Sequence, residues 1–404
     1  MREKQVSTFV DSVVKYEENR LLSFHRNNSK MSSYRVYRDG KVGIHCQTGE
    51  ISDEEGYIKA ERNLEKERPY PFELECGKRS RDKTERCVTD KELMDIAKEC
   101  MQFICEKYPQ FTFSASFNQN NKTTLMVNDK GMDYKNTDCA VSVNVGFKHV
   151  NSKDIRDGGF GFGLRNFDKE VFCHMADNYL ASYEKEVEFP EEIIIDMQYY
   201  GVVGMVGGCL NGENLALGTS LLAGKIGEKV FSEDFTLLHD VSDEECWFNN
   251  FWDGEGCVTE SDKRVFIDKG VVIGGYADKR TAKKYDAPHT GNSFLDYGDI
   301  PGPGGLNWRI KRSEKTVKEL LNGRYCVIPV TCGGGGFADN GDYAVPVQCA
   351  LLSDGERILG KLPPFTMVSN MFDMFGRDFI GVGADNPIFN DKQILFRVKK
   401  QDIL

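Results

Sequence analysis

Cys139-Ala140-Val141-Ser142-Val143-Asn144-Val145-Gly146-Phe147-Lys148 sets a larger apolar residue at every second position, with small or polar residues between. A period of two means a strand with one buried and one polar face. Upstream, strands are expected at about 111–117 and 123–128, followed by a turn at Asn128-Asp129-Lys130-Gly131. Before them stands Thr89-Asp90-Lys91-Glu92, a capping box that opens a helix. In that helix Leu93, Ile96, Ala97, Cys100, Met101, Ile104 and Tyr108 trace one apolar face until Pro109. Downstream, a helix near 167–184 turns Val171, Phe172, Met175, Tyr179 and Leu180 inward.

Farther out, Gln5–Val14 and Arg20–Phe24 read as strands. Tyr34–Tyr37 and Val42–Ile44 flank Asp39-Gly40, a dipeptide suited to the positive φ angles of a hairpin turn. Ser52-Asp53-Glu54-Glu55 caps a helix over 53–67 whose thin apolar face (Tyr57, Ala60, Leu64) places it on a surface. Toward the C-terminus, Glu192–Ile195 and Asp234–Leu238 read as strands, and Arg264–Tyr276 as strand, turn, strand about Asp268-Lys269-Gly270. The run Gly201–Gly227 is small and apolar with poor helical amphipathicity, so it packs on several sides.

This order predicts an α+β protein: N-terminal α/β layers of mixed strands and helices, then a β-rich C-terminal domain. The charged stretch Cys76–Arg86 is the expected linker, which divides the chain into 1–75, 76–188 and 189–404.

Composition narrows the function. Of 404 residues, 52 are Lys or Arg and 63 are Asp or Glu, a net charge of −11 that disfavours broad contact with phosphates or acidic lipid. The N-terminus carries no apolar run of signal length, and no 18-residue apolar stretch follows. The 13 cysteines show no C-x-x-C pair, so reduced thiols in a cytoplasmic chain without a membrane span are expected.

Several near-motifs fail. Gly355–Lys361 has phosphate-loop spacing, but Leu362 replaces the Ser or Thr that would hold magnesium, and Pro363-Pro364 forbids the following helix. Neither Gly158–Gly163 nor Gly333–Gly336 fits a dinucleotide fingerprint. His25, His45, His149, His174, His239 and His289 form no local metal-binding pair. What is left is a pair of carboxylates, Asp253 and Glu255, with His239 or His289 near in sequence. Such a pair suits acid–base chemistry or a metal, though on a loop carboxylates are more often plain solvated charges.

Gly218-Thr219-Ser220-x-x-Ala223-Gly224-Lys225-Ile226-Gly227, then Asp253-Gly254-Glu255-Gly256, then the 264–276 hairpin, Thr281-Ala282 and Thr290-Gly291-Asn292 occur in that order. Together they resemble the TldD/TldE (PmbA) family, long called modulators of DNA gyrase and understood as bacterial and archaeal peptidases. The likeness extends back to Val127-Asn128-Asp129-x-Gly131. It runs forward to Gly341-Asp342-Tyr343, Ser353-Asp354-Gly355 and Gly381-x-Gly383-x-Asp385.

The resemblance implies a zinc motif, H-E-x-x-x-H, just before Gly218 in TldD-type subunits, with a later cysteine as third ligand. Counted back without gaps, those positions here are Val203, Gly204 and Gly208, and no histidine lies between His174 and His239. No cysteine follows Cys349. The nearer likeness is therefore to TldE/PmbA, the subunit without the zinc motif. It implies no metal or catalytic residue in this chain, and zinc in a TldD-like partner. It further implies a heterodimer or homodimer, a peptide substrate and no nucleic acid. Thr290, Gly291, Asn292 and the run Gly333, Gly334, Gly335, Gly336 are the residues expected to face peptide or partner, the run being equally a flexible loop. An independently active hydrolase built on Asp253, Glu255, His239 and His289 is the alternative. A gyrase modulator rests on the family's old name alone.

Overall fold

A computed structural model of the chain describes residues 1–85, 87–153, 155, 157–198, 200–242, 247–295, 298–385, 388 and 393–401. Its N-terminal half is built on three long hairpin-linked strands: β1 (Arg2–Glu17), β2 (Arg20–Arg38) and β3 (Lys41–Thr48). Glu18 and Asn19 take positive φ in the first turn, and Asp39 and Gly40 in the second. Helix α1 (Asp53–Arg62), capped by Ser52, lies across this hairpin. The approach is close at Gly43, where an added Cβ would sit 2.1 Å from the Ala60 carbonyl oxygen.

Next come β4 (Lys78–Lys83), α2 (Asp90–Lys107), β5 (Phe111–Asn128), β6 (Asp133–His149), β7 (Gly158–Leu164) and α3 (Lys169–Ala181). One seven-stranded sheet runs β3-β2-β1-β5-β6-β4, with β7 also on β6. Its centre is the antiparallel pair β1 and β5, from Glu3 opposite Asn128 to Tyr16 opposite Ala115. Helices α2 and α3 cover the apolar face. Leu93, Ala97, Cys100 and Ile104 there meet Phe113, Phe117, Val143, Val145, Phe172 and Met175.

Three sequence expectations change here. The strands expected at 111–117 and 123–128 are one strand, since polar Asn118–Lys122 has backbone partners on β1 and β6 at once. The charged stretch 76–86 is not a linker: β4 pairs parallel with β6, from Lys78 opposite Asp133 to Lys83 opposite Asp138. (Arg86 lies outside the described residues.) The boundary expected at 75/76 therefore crosses a single sheet. The same pairing brings Cys87 to Cys139, Cα atoms 6.1 Å apart, and the two form a disulfide. The expectation of reduced thiols fails for this pair; the ten other described cysteines are free, and Cys246 lies outside the described residues.

The C-terminal half contains β8 (Ile194–Gln198), α4 (Tyr200–Gly208), α5 (Gly212–Leu217), β9 (Leu237–Asp240), β10 (Lys263–Asp268), β11 (Val271–Val272) and α6 (Lys279–Tyr285). It continues through β12 (Ser293–Phe294), β13 (Gly302–Pro303), β14 (Trp308–Ile310), α7 (Val317–Leu321), β15 (Cys326–Cys332) and β16 (Asp342–Ser353). It closes with β17 (Ile358–Leu362), β18 (Phe365–Asn370), α8 (Met371–Met374), β19 (Phe379–Val382), β20 (Gln393–Arg397) and β21 (Lys399–Gln401). A mixed sheet runs β19-β20-β8-β15-β16-β18-β21, with β17 on β16. The described strands also form a smaller sheet, β11-β10-β9-β14, and the pair β12-β13. The fold is α+β, with a β-rich second half, as the strand and helix order predicts.

Val202, Val203 and Val206 of α4 are buried in a core with Leu210, Leu222, Phe231, Phe235 and Phe266, whereas Gly201, Gly204 and Gly208 are exposed, so the helix packs on one face and not on several. Ile328, Leu351 and Ile358 of the C-terminal sheet join the core under α2 and α3, so the two halves share an interior. No helix among the described residues is long and apolar enough to cross a membrane.

Candidate functional site

The D-G-E-G sequence is a turn that its own aspartate organises. Asp253 Oδ1 accepts the N–H groups of Glu255 (2.9 Å) and Cys257 (2.8 Å), and Oδ2 accepts that of Ser293 (3.0 Å). Gly256 has φ of +78°, and a Cβ at Gly254 would lie 2.9 Å from Leu295, so both positions require glycine. The turn thus fixes where the next side chains point.

Glu255 points inward. Its Oε1 accepts the Tyr70 hydroxyl at 2.8 Å, and its Oε2 accepts the Lys279 N–H, at the start of α6, at 3.0 Å. His289 Nε2 stands 3.6 Å from the same Oε2 and 3.9 Å from the Cys257 sulfur. The Lys279 ammonium turns away to Glu75 (2.6 Å) and the Glu73 carbonyl (2.7 Å). One ligand-type atom from each of Asp253, Glu255, Cys257 and His289 lies within 4.8 Å of all the others.

The electrostatics separate the two acids. Burial and the neighbouring Glu255 charge raise the Asp253 carboxyl to about 7 against the pull of its backbone N–H partners. Burial pushes Glu255 upward too, but hydrogen bonds from His289, the Lys279 N–H and Tyr70 outweigh it and hold its carboxyl below the usual range. Burial pushes the Cys257 thiol far up, so the free thiol stays protonated. Neither acid is a solvated loop charge, and neither lies on an extended segment.

The four residues nominated in sequence divide. Asp253, Glu255 and His289 come together; His239 does not join them. It is 4% exposed, accepts the Asn307 N–H on Nδ1 at 2.9 Å, and burial lowers its pKa to about 4. It shares only the wall of a cavity of about 200 Å³ with Asp253, Cys257 and Gly291. Thr290 and Asn292, expected to face peptide or partner, are 4% and 1% exposed within this chain. Thr290 Oγ1 instead bridges the N–H and carbonyl of Ala277 at 2.8 and 3.0 Å. Gly333–Gly336 is an exposed loop beyond β15, tied by the Gly333 N–H to the Pro346 carbonyl at 2.9 Å. Cys257 escaped the sequence reading although it follows D-G-E-G directly. Tyr70, Glu75 and Lys279 left no local signal at all.

The positions of the implied zinc motif fall on α4. Val203 is buried and apolar, while Gly204 and Gly208 are exposed and face open space. The adjacent thiol, Cys209, donates to the Met205 carbonyl at 3.4 Å. These residues supply no set of donors and do not fit a zinc ion.

With this geometry in hand, comparison with known proteins gives a consistent picture. The fold matches that of TldE from Thermococcus kodakarensis with a TM-score of 0.81 at 19% identity, covering 100% of this chain and 96% of that one. An uncharacterized protein of Methanocaldococcus jannaschii is 23% identical over 380 residues, 87% of this chain and 84% of its own. A metalloprotease of Archaeoglobus fulgidus is 24% identical over 316 residues, 73% and 71% of the two chains. Residues 192–394, just over half the chain, match the family model described as the PmbA/TldA metallopeptidase C-terminal domain. The chain therefore belongs to the TldD/TldE/PmbA family of peptidases.

Proposed function

We propose that this chain is the non-catalytic, TldE-like subunit of a TldD/TldE-type peptidase. It pairs with a TldD-like chain that carries the catalytic zinc, and the pair cleaves peptides in the cytoplasm without contacting nucleic acid. One observation carries this reading: α4 offers a buried valine and two bare glycines where the family's zinc enzymes have His, Glu and His. Without those groups no water can be activated there by metal and general base. The exposed Gly333–Gly336 loop is the segment proposed to border the peptide, since glycine lets another backbone approach closely.

Co-expression with a TldD-like chain bearing an intact H-E-x-x-x-H, followed by digestion of an unfolded peptide, tests the proposal. Each chain alone and both together are compared, and a sizing column separates heterodimer from homodimer. Cleavage only when the TldD-like chain is present supports it. Hydrolysis by this chain alone overturns it in favour of a second reading, an independent hydrolase. That reading draws on the Asp253 carboxyl, raised to about 7 in the cluster that holds His289. In that case Asp253→Asn would abolish the cleavage.

A further inference from the structure

We infer that Asp253, Glu255, Cys257 and His289 form a binding site for a zinc-class divalent cation, at a place distinct from the family's zinc position on α4. This departs from the expectation, drawn from the resemblance, that the chain holds no metal. The first reason is geometric. Tetrahedral zinc with bonds of about 2.0–2.3 Å sets its ligand atoms about 3.3–3.8 Å apart. Here Glu255 Oε2 to His289 Nε2 is 3.6 Å, and His289 Nε2 to Cys257 Sγ is 3.9 Å. A contraction of a few tenths of an ångström closes those edges.

The second reason is charge. Two carboxylates share a confined space, and Lys279 offsets them only in part: its charge favours ionised Glu255, but its ammonium is bound to Glu75 and the Glu73 carbonyl. A dication between the acids would complete the compensation. Ser293, whose N–H holds Asp253 and which lines the adjoining cavity, also keeps a buried Oγ that has no hydrogen-bond partner among the described residues. A polar atom left in that state is what a bound ion and its hydration would satisfy.

The donor set chooses the metal. A thiol and an imidazole beside carboxylates suit zinc or a similar borderline ion, and not magnesium or calcium, which take oxygen. Orientation is already provided, since the Tyr70 hydroxyl and the Lys279 N–H hold the Glu255 carboxylate in place. The His289 side chain is 33% exposed and gives the ion a way in from solvent. On binding, the Cys257 sulfur gives a lone pair to the metal and releases its proton to water, with no change of oxidation state. Four protein ligands close the coordination shell, as in structural zinc sites. The ion would tie the 253–257 turn to the segment at His289 without hydrolysing anything, which suits a non-catalytic subunit.

The test uses the full chain alone, stripped of metal, so its outcome does not depend on any partner or peptide. Equilibrium dialysis against Zn²⁺ should give about one ion per chain, and Co²⁺ should give a thiolate-to-cobalt charge-transfer band. Cys257→Ser should remove the band, and His289→Ala, a change at an exposed side chain, should weaken binding at least about tenfold. Cys332→Ser, at an exposed thiol, should leave both signals unchanged. Failure to bind near one equivalent, a band that survives Cys257→Ser, binding unaffected by His289→Ala, or a band lost in Cys332→Ser each overturns the assignment.

Discussion

Tyr70 donates its hydroxyl to Glu255 across 2.8 Å, joining residues 185 positions apart in the sequence. One comes from the loop after α1, the other from the turn that centres the candidate site. The bond is therefore both a tether between the halves of the molecule and a constraint on the site. Replacing Tyr70 by Phe keeps the ring packing against Tyr37 and Phe72 but leaves a buried carboxylate oxygen short of a donor. The expected loss is about 1–3 kcal/mol, read as a lower urea midpoint with an unchanged slope. An unaltered midpoint would mean that water already serves Oε1.

His239 and Asp253 make stability depend on pH in opposite senses. His239 is held at about 4 by burial, below its ordinary 6.5, so the unfolded chain binds the extra proton between those values. Its contribution is complete above pH 6.5 and falls by about 3 kcal/mol as pH drops to its folded value. Asp253 is raised from 3.8 to about 7, so the folded chain binds the extra proton there, and stability declines as pH rises through that window. In metal-free protein the two slopes oppose each other between about pH 4 and 6.5. His239→Asn, which keeps an acceptor for the Asn307 N–H, should tilt the profile toward greater stability at the acid end than wild type shows. Urea titrations across that range check this; a profile parallel to wild type would refute it.

Much of the architecture was legible because its signals are local. The period-two pattern of 139–148, the capping box at Thr89 and the Asp39-Gly40 turn each specify their own backbone. The break expected between 117 and 123 and the linker expected at 76–86 went astray for one reason: polar side chains hid strands whose stability comes from neighbours far along the chain. Asn120 is satisfied by Asp11 and Arg79 by Asp262, pairings that no window on the sequence contains. The site was half legible in the same way. Asp253 and Glu255 were visible as a pair, but the fold alone joins them to His289 and Cys257 and sends His239 elsewhere.

Gly43 tests the packing of α1 on the first hairpin. A methyl group there meets the Ala60 carbonyl oxygen at 2.1 Å and the Leu64 nitrogen at 2.8 Å, both backbone atoms with little room to yield. Gly43→Ala should push the helix off the sheet and cost about 1–3 kcal/mol. Hydrogen exchange should show the loss first in the amides of 53–66. Unchanged protection there would mean that the strand, and not the helix, gives way.

Arg81 offers the sharpest test that the charged stretch after residue 76 belongs to the folded body. Its Nε donates to Asn136 Oδ1 at 2.7 Å, and its two terminal nitrogens donate to the carbonyls of Val241 (2.5 Å) and Asn249 (2.7 Å). One guanidinium on β4 thus grips β6 and both sides of the 241–249 segment, three acceptors in the fixed fork that only arginine supplies. A lysine keeps the charge but places a single nitrogen, which cannot reach all three. Arg81→Lys should therefore cost about 2–4 kcal/mol, because buried carbonyls and Asn136 lose a charged donor. A solvated linker would instead tolerate the change within about 0.5 kcal/mol. Local and global effects can be separated by limited proteolysis under native conditions. Freed from the guanidinium, the chain at Val241 and at Asn249 should be cut faster than the protein unfolds, with the fragments identified by mass. Cleavage that merely tracks global unfolding would show that the segment is held by its other contacts.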